Sequence, residues 1–107
     1  MGLESGRCVP CEGGVPKLGP IEISNLLTQV EGWEERGDKI RKTFQFPDFV
    51  RAMAFVNRVA EIAQAEGHHP DFCVQFGRVD MTIWTHAIGG LSLNDFVLAA
   101  KIDRVAV

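Results

Sequence analysis

Apolar residues recur at helical spacing in three parts of the chain. In the first part they occupy positions i, i+3, i+4 and i+7 and form one apolar face: Ile23, Leu26, Leu27 and Val30. This spacing predicts a helix that opens at Pro20 and ends at Gly32. A second helix is predicted with Asp48 or Phe46 as its N-terminal cap and Gly67 as its C-terminal cap. Its predicted apolar face consists of Phe49, Met53, Val56, Ala60 and Ala63.

The third helix is predicted to begin at Ser92. Asp95, three residues later, is the acidic partner that completes a capping box. Residues 96–100 of this helix are apolar on every side. Because a helix without a polar face needs a second surface to bury against, we interpret that surface as another subunit.

Two pairs of short segments between the helices alternate as strands do. Residues 33–36 and 40–46 form one hairpin around Gly37-Asp38, although Lys42 falls on the same parity as Ile40 and Phe44. Residues 72–76 and 79–84 form the other hairpin around Gly77-Arg78. The order helix, hairpin, helix, hairpin, helix predicts an α+β fold. We expect a two-layer sandwich, with three helices on one face of a four-stranded antiparallel sheet.

The chain of 107 residues fits one domain, which we place at residues 20–107. Residues 1–19 are rich in glycine and proline, have no hydrophobic period and are interpreted as a flexible leader. A net charge of -3 without a basic run argues against a nucleic-acid partner. With no long apolar run and no apolar signal segment, we expect no membrane association and a cytoplasmic location.

The three cysteines do not form the even set of a disulfide framework. Cys8 and Cys11 make a single C-x-x-C pair, which supplies half of a tetrahedral zinc site. Cys73 or the histidines would have to complete that site, so a small metalloprotein remains one hypothesis. Cys73 lies in a strand-like run and is interpreted as an inert buried thiol.

The three histidines lie at the predicted ends of elements. His68 and His69 follow the cap of the second helix, and His86 follows the last strand. Side chains in such places can converge on a pocket, although a single histidine near a loop is usually only a polar surface residue. Histidine titrates near pH ~6.5, so several together can act as acid, base and substrate orienter at neutral pH.

A longer pattern surrounds these histidines. It consists of His68-His69-Pro70, an aromatic residue at Phe76, Trp84-Thr85-His86, Gly89-Gly90-Leu91 and Asp95. In order and spacing this pattern resembles the signature of the pterin-4a-carbinolamine dehydratase family. Weaker similarity extends back through Gly32-Trp33 and forward through Ala99-Ala100-Lys101-Ile102, so the resemblance covers nearly all of the chain after the leader.

The resemblance implies dehydration of 4a-hydroxytetrahydropterin to quinonoid dihydropterin, which recycles the pterin cofactor of aromatic amino-acid hydroxylases. It implies general acid–base chemistry without a metal or redox cofactor, since the pterin is the substrate. We assign His68 and His86 as the proton-transfer pair and His69 as the residue that orients the pterin.

Other residues of the pattern have an ordinary structural interpretation beside the functional one. Trp33 is a candidate floor for the pterin ring or a core aromatic. Thr85 either bonds the pterin edge or ends a strand. Pro70 is assigned to substrate binding. Asp95 is a supporting residue that also fits a helix cap. Gln64 occupies a supporting position that is commonly acidic in the family.

The resemblance further implies a homodimer or homotetramer. A second hypothesis is a non-catalytic dimerisation or assembly factor of the same fold, in which the apolar last helix is the working surface.

Overall fold

The computed structural model describes residues 2–9 and 15–106. The three α-helices are α1 at Pro20–Leu27, α2 at Phe49–Glu66 and α3 at Leu93–Val105. The four strands are β1 at Glu34–Arg36, β2 at Lys39–Gln45, β3 at Asp71–Gln75 and β4 at Arg78–Ile83. Two short 3₁₀ helices lie at Leu3–Ser5 and His86–Ile88.

The strands form one antiparallel sheet in the order β1-β2-β4-β3. In the central pair, Ile40 lies opposite Ile83 and Phe44 lies opposite Val79. These residues are buried and share one core with residues of all three helices. The alternate positions of the two strands face the other side of the sheet, which carries polar residues such as Arg41 and Thr43. The predicted α+β sandwich is confirmed.

The hairpins and the caps of the last two helices agree with the prediction, but the predicted end of the first helix is wrong by more than a turn. Helix α1 ends at Leu27 rather than at Gly32, because the Thr28 N–H bonds the Asn25 carbonyl and closes the last turn. Val30 is nevertheless buried, beyond the helix. The second hairpin turns at residues 76–77, one residue earlier than predicted, and Phe76 takes a positive φ of 54° there.

The apolar face predicted for α2 is wrong by part of a turn. The buried residues are Ala52, Phe55, Val56, Val59 and Ala63, whereas Phe49 is 49% exposed. Apolar residues occupy more than one stripe of this helix, so periodicity alone did not choose between neighbouring stripes. Asp48 caps the helix by accepting the Arg51 N–H at 2.8 Å. Neither α2 nor any other described helix is long and apolar enough to cross a membrane.

Lys42 lies on the helix side of the sheet, as its parity indicates, and its charge is compensated there. Its Nζ is 2.9 Å from Asp103 Oδ1 and also donates to the Glu31 carbonyl. Asp103 accepts the indole N–H of Trp33 as well, at 3.0 Å. A carboxylate from α3 therefore satisfies both a cation and an indole at the edge of the core.

The second surface that α3 needs comes from the same chain, so its interpretation as a subunit contact is wrong. The 3₁₀ helix Leu3–Ser5 packs on α3, and residues 94–100 are buried without a partner chain. Lys101 donates to the Glu4 carbonyl at 2.9 Å. We call residues 2–9 the N-terminal strap. The rest of the predicted leader is described only from residue 15 onward. In that part, Leu18 donates its N–H to the Leu91 carbonyl. The division into leader and domain at residue 19 stays a prediction.

Candidate active site

A buried hydrogen-bond network joins the end of α2 to the start of α3. His68 Nε2 lies 2.6 Å from Asp95 Oδ1, and the two residues are 5% and 0% exposed. The other carboxylate oxygen, Oδ2, accepts the Thr85 hydroxyl and the Ser92 N–H, both at 2.9 Å. The Thr85 and Ser92 hydroxyls are 2.8 Å apart. We call these four residues the inner network.

Local structure places both ends of the inner network. Gly67 ends α2 in a left-handed conformation with φ 68°, and the chain turns there so that the next side chain, His68, points inward. Asp95 sits in the first turn of α3 and accepts the N–H of Ser92, the N-cap residue that precedes the helix. Asp95 is thus both the helix cap and the partner of His68. The two interpretations of Asp95 from the sequence describe one arrangement.

A second cluster lies at the surface, on the open side of the sheet. Trp84 Nε1 donates to Asp71 Oδ2 at 3.3 Å, and His86 Nε2 lies 3.9 Å from the same oxygen. The Trp84 and His86 rings are 4.1 Å apart between centroids. Lys39 Nζ sits 4.6 Å from the centre of the Trp84 ring. We call Asp71, Trp84 and His86 the outer cluster.

The inner network and the outer cluster link the same two stretches of chain. Residues 68–71 run from the end of α2 into β3, and residues 84–86 run out of β4. His68 and Thr85 point inward, whereas Asp71, Trp84 and His86 are exposed or half-buried. Residues 68–71 are therefore held on the inside by the contact between His68 and Asp95. At the surface they contact residues 84–86 again, through Asp71.

His69 lies at the surface between these groups. Its Nε2 is 3.2 Å from Gln64 Oε1, so Gln64 contacts His69 rather than His68. Pro70 is half-buried beside it. Gln64 can hold an imidazole in place, but as an amide it adds no negative charge.

Trp33 and Thr85 are placed away from a surface pocket. Trp33 is 6% exposed, packs edge-on against Phe44 and gives its indole N–H to Asp103. The structure thus gives Trp33 the role of a core aromatic. The Thr85 hydroxyl is turned into the inner network and is fully buried. Neither side chain offers a free polar edge to a molecule on the open face.

Cys11, one of the ligands of the hypothetical metal site, lies outside the described residues. Within residues 2–9 and 15–106, no group of three or more histidine, cysteine or acidic side chains is arranged to hold a metal ion. Cys8 donates its thiol to the Asn94 carbonyl. Cys73 is exposed, so its interpretation as a buried thiol is wrong.

Sequence reasoning missed Asp71 and Lys39. The signal for Asp71 was present, because it directly follows the His68-His69-Pro70 run at the start of a strand. Trp84 belonged to the recognised pattern, and in an extended chain it shares its parity with His86. Parity alone would have put those two rings on one side. The contact with Asp71 also required the register in which Asp71 lies opposite Thr82.

Comparison with known proteins places the chain in a family. The sequence profile described as pterin 4 alpha carbinolamine dehydratase matches residues 16–105, so the chain belongs to this family of hydro-lyases. A protein of Nitrosospira multiformis is 50% identical over 103 residues, which cover 96% of this chain and 91% of that protein. A protein of Rubrobacter xylanophilus is 47% identical over 96% and 97% of the two chains. Both are provisionally named pterin-4-alpha-carbinolamine dehydratase.

A solved structure agrees with the fold. The crystal structure of a transcriptional coactivator/pterin dehydratase from Brucella melitensis superimposes with a TM-score of 0.83 at 30% identity. The match covers 86% of this chain and 100% of that one.

Proposed function

We propose that the chain catalyses dehydration of a 4a-hydroxytetrahydropterin to the quinonoid dihydropterin. Family membership supports the reaction, and the pairing of a buried His68–Asp95 contact with an exposed His86 is the observation that carries the proposed mechanism. The 4a-hydroxyl leaves as water after it gains one proton, and one proton leaves the ring system. No electrons are exchanged overall, so the reaction requires acid–base groups and no redox cofactor.

The proposed proton-transfer pair is His68 and His86. His86 is 57% exposed at its side chain, so a pterin on the open side of the sheet reaches it directly. His68 is almost fully buried, and its Nε2 lies 2.6 Å from Asp95 Oδ1. The carboxylate stabilises the protonated imidazole, as it does in acid–base triads. His69, held by Gln64, is proposed to orient the ring.

The test is the decay of enzymatically made 4a-carbinolamine, followed by ultraviolet absorbance. The protein should accelerate the decay, and His86→Ala should lose about 10²- to 10⁴-fold of that acceleration while it stays folded. His68→Ala should lose activity too. Asn57→Ala, at an exposed position of α2, is the control for substitution itself. A wild-type protein that leaves the decay at the buffer rate would refute the proposed function.

A second candidate function is a non-catalytic dimerisation or assembly factor. One observation favours it: the Brucella melitensis protein, which shares the fold, is described as a transcriptional coactivator as well as a pterin dehydratase. A stable partner that still binds a variant lacking all three histidines, together with an inactive wild type, would favour this function.

The remaining parts of the proposal concern context. We propose that the reaction recycles the pterin cofactor of aromatic amino-acid hydroxylases in the cytoplasm, and that the chain forms a homodimer or homotetramer. The polar open face and the sheet edges leave surface for such contacts. Helix α3 does not, because its residues 94–100 are covered within the chain. Light scattering at micromolar concentration should give more than the monomer mass, and a monomer would contradict the assembly.

A further inference from the structure

The outer cluster presents an aromatic ring at the surface beside a histidine. Trp84 carries the larger of the two rings. An indole side chain is more often buried than placed at the open side of a sheet. Its N–H is held by Asp71, so the plane of the ring is oriented. The inner network makes its hydrogen bonds without any member of the outer cluster.

Trp33 cannot take the same role. It is buried, its ring packs on Phe44, and both carboxylate oxygens of Asp103 lie within 3.1 Å of its indole nitrogen. A flat ring could reach Trp33 only if that packing opened. Trp84, by contrast, is partly buried against the core, lies next to the His86 ring and carries the side chain of Lys39 over its own ring. An exposed cation on an aromatic ring contributes about 0.5–1 kcal/mol, so this long side chain is easily displaced.

We propose that Trp84 is the platform on which the pterin ring stacks, and that Asp71 is a positioning residue for His86. The inference rests on the proposed dehydratase function and names the part of its site that the sequence had assigned to Trp33. A ring stacked on Trp84 lies beside His86, because the two side chains are already in van der Waals range. The platform therefore brings the substrate to the proposed proton-transfer group.

Asp71 acts through its charge and its place. Its carboxylate lies 3.9 Å from His86 Nε2, which favours the ring form that carries a proton on that nitrogen. Nδ1 is then the acceptor that faces a substrate proton. When His86 takes up that proton, the carboxylate stabilises the cation. Other charged groups on this face include Lys39 from β2, which lies over Trp84, and Arg41, which is separated from Asp71 by Thr82 in the same row of the sheet. Asp80 of β4 lines a surface cavity together with Asp71.

The two residues predict different kinetic changes. Trp84→Leu should raise KM, and the Kd for the stable analogue 7,8-dihydrobiopterin, by about 2- to 10-fold, the size of an aromatic pair contact. Trp84→Phe should recover most of that loss. Asp71→Asn keeps an acceptor for the indole but removes the charge. It should leave KM nearly unchanged and lower kcat by about 2- to 5-fold, the size of an exposed ion-pair contribution.

Salt separates a charge effect from a merely structural one. The difference in kcat between wild type and Asp71→Asn should shrink at 0.5 M salt, since both groups are exposed and the Debye length is only about 4 Å there. Gln75→Ala, at an exposed position at the other end of β3, is the matched control and should change neither KM nor kcat.

Activity and calorimetric binding of 7,8-dihydrobiopterin together decide the outcome. If Trp84→Leu is folded and binds the pterin as wild type does, the platform is refuted. If Asp71→Asn keeps the wild-type kcat at low salt, the positioning role is refuted. Either result with an active wild type leaves the proposed function standing. A wild type that neither accelerates the decay nor binds the pterin overturns both proposals.

Discussion

The inner network and the outer cluster show how differently one pair of chain segments can be joined on its two sides. On the inside, Asp95 receives three partners within 2.9 Å in the absence of solvent. On the outside, Asp71 makes one hydrogen bond of 3.3 Å and one looser contact in water. Removing a partner of a buried carboxylate lowers the stability of the fold far more than removing a partner of an exposed carboxylate. The inside should therefore decide stability, even though it includes the proposed catalytic residue His68, and the outside should contribute little to stability.

The largest effect should come from Asp95→Ala. The substitution leaves His68, the Thr85 hydroxyl and the Ser92 N–H buried without their acceptor, and it removes the cap of α3. We expect the free energy of unfolding in urea to fall by about 3–5 kcal/mol. Asp95→Asn, which keeps an acceptor oxygen, should lose less. A loss below about 1 kcal/mol for Asp95→Ala, within the range of an ordinary substitution, would contradict the contrast between inside and outside.

The next effect concerns Asn94, which extends the buried side to the N-terminal strap. Its side chain accepts the Val9 N–H at 3.0 Å and donates to the Val9 carbonyl at 2.8 Å. Asn94→Ala should cost about 1–2 kcal/mol because two hydrogen bonds are lost. It should also speed proteolytic cleavage within residues 2–9. Asn57→Ala is the control, and equal cleavage rates in the two variants would show that Asn94 does not hold the strap.

Much of the fold could be predicted because local chemistry decides it. Asp48, Gly67 and Ser92 mark helix ends through their own backbone and side-chain bonds, and alternation identified both hairpins. The face of α2 was wrong because apolar residues cover more than one stripe of that helix. Only packing against the sheet selected the stripe that includes Phe55 and Val59.

The sequence predicted the kind of site, a set of histidines for acid–base chemistry, but not its geometry. Histidines at element ends were recognisable, but the burial of His68 depends on Asp95, 27 positions away. The cover of α3 was missed for a similar reason. The N-terminal strap is held by contacts such as Cys8 N–H to Glu66, 58 residues apart, and glycine-rich sequence carries no periodic sign of them.

Glu66 gives a smaller effect that depends on pH. Burial acts to raise the pKa of this carboxyl, but the Cys8 N–H together with the charges of Lys101 and Arg7 holds the pKa below its ordinary value of 4.5. Folding thus favours the ionised form. The stabilisation is complete above pH 4.5 and is lost as the pH falls through the lower folded value.

The stability of wild type should accordingly fall more steeply below pH 4.5 than that of Glu66→Gln, so the gap between them narrows in acid. Urea unfolding between pH 7 and pH 3 measures this gap. Glu61→Gln removes a carboxyl from the exposed side of the same helix and serves as the control. A constant gap across the range would mean that the strap does not depend on the Glu66 charge.

The smallest effect on stability should come from the outer cluster itself. Asp71 has a side chain that is 64% exposed, and its indole contact is made in water, where such pairs contribute little. Asp71→Ala should change the free energy of unfolding by no more than about 0.5 kcal/mol, the usual range for a surface substitution. Urea unfolding of Asp71→Ala and of Asp95→Ala under the same conditions compares what the two carboxylates contribute to the free energy of unfolding. A loss for Asp71→Ala comparable to that of Asp95→Ala would mean that the outer cluster holds the fold together, and it would remove the physical reason for assigning that cluster to chemistry.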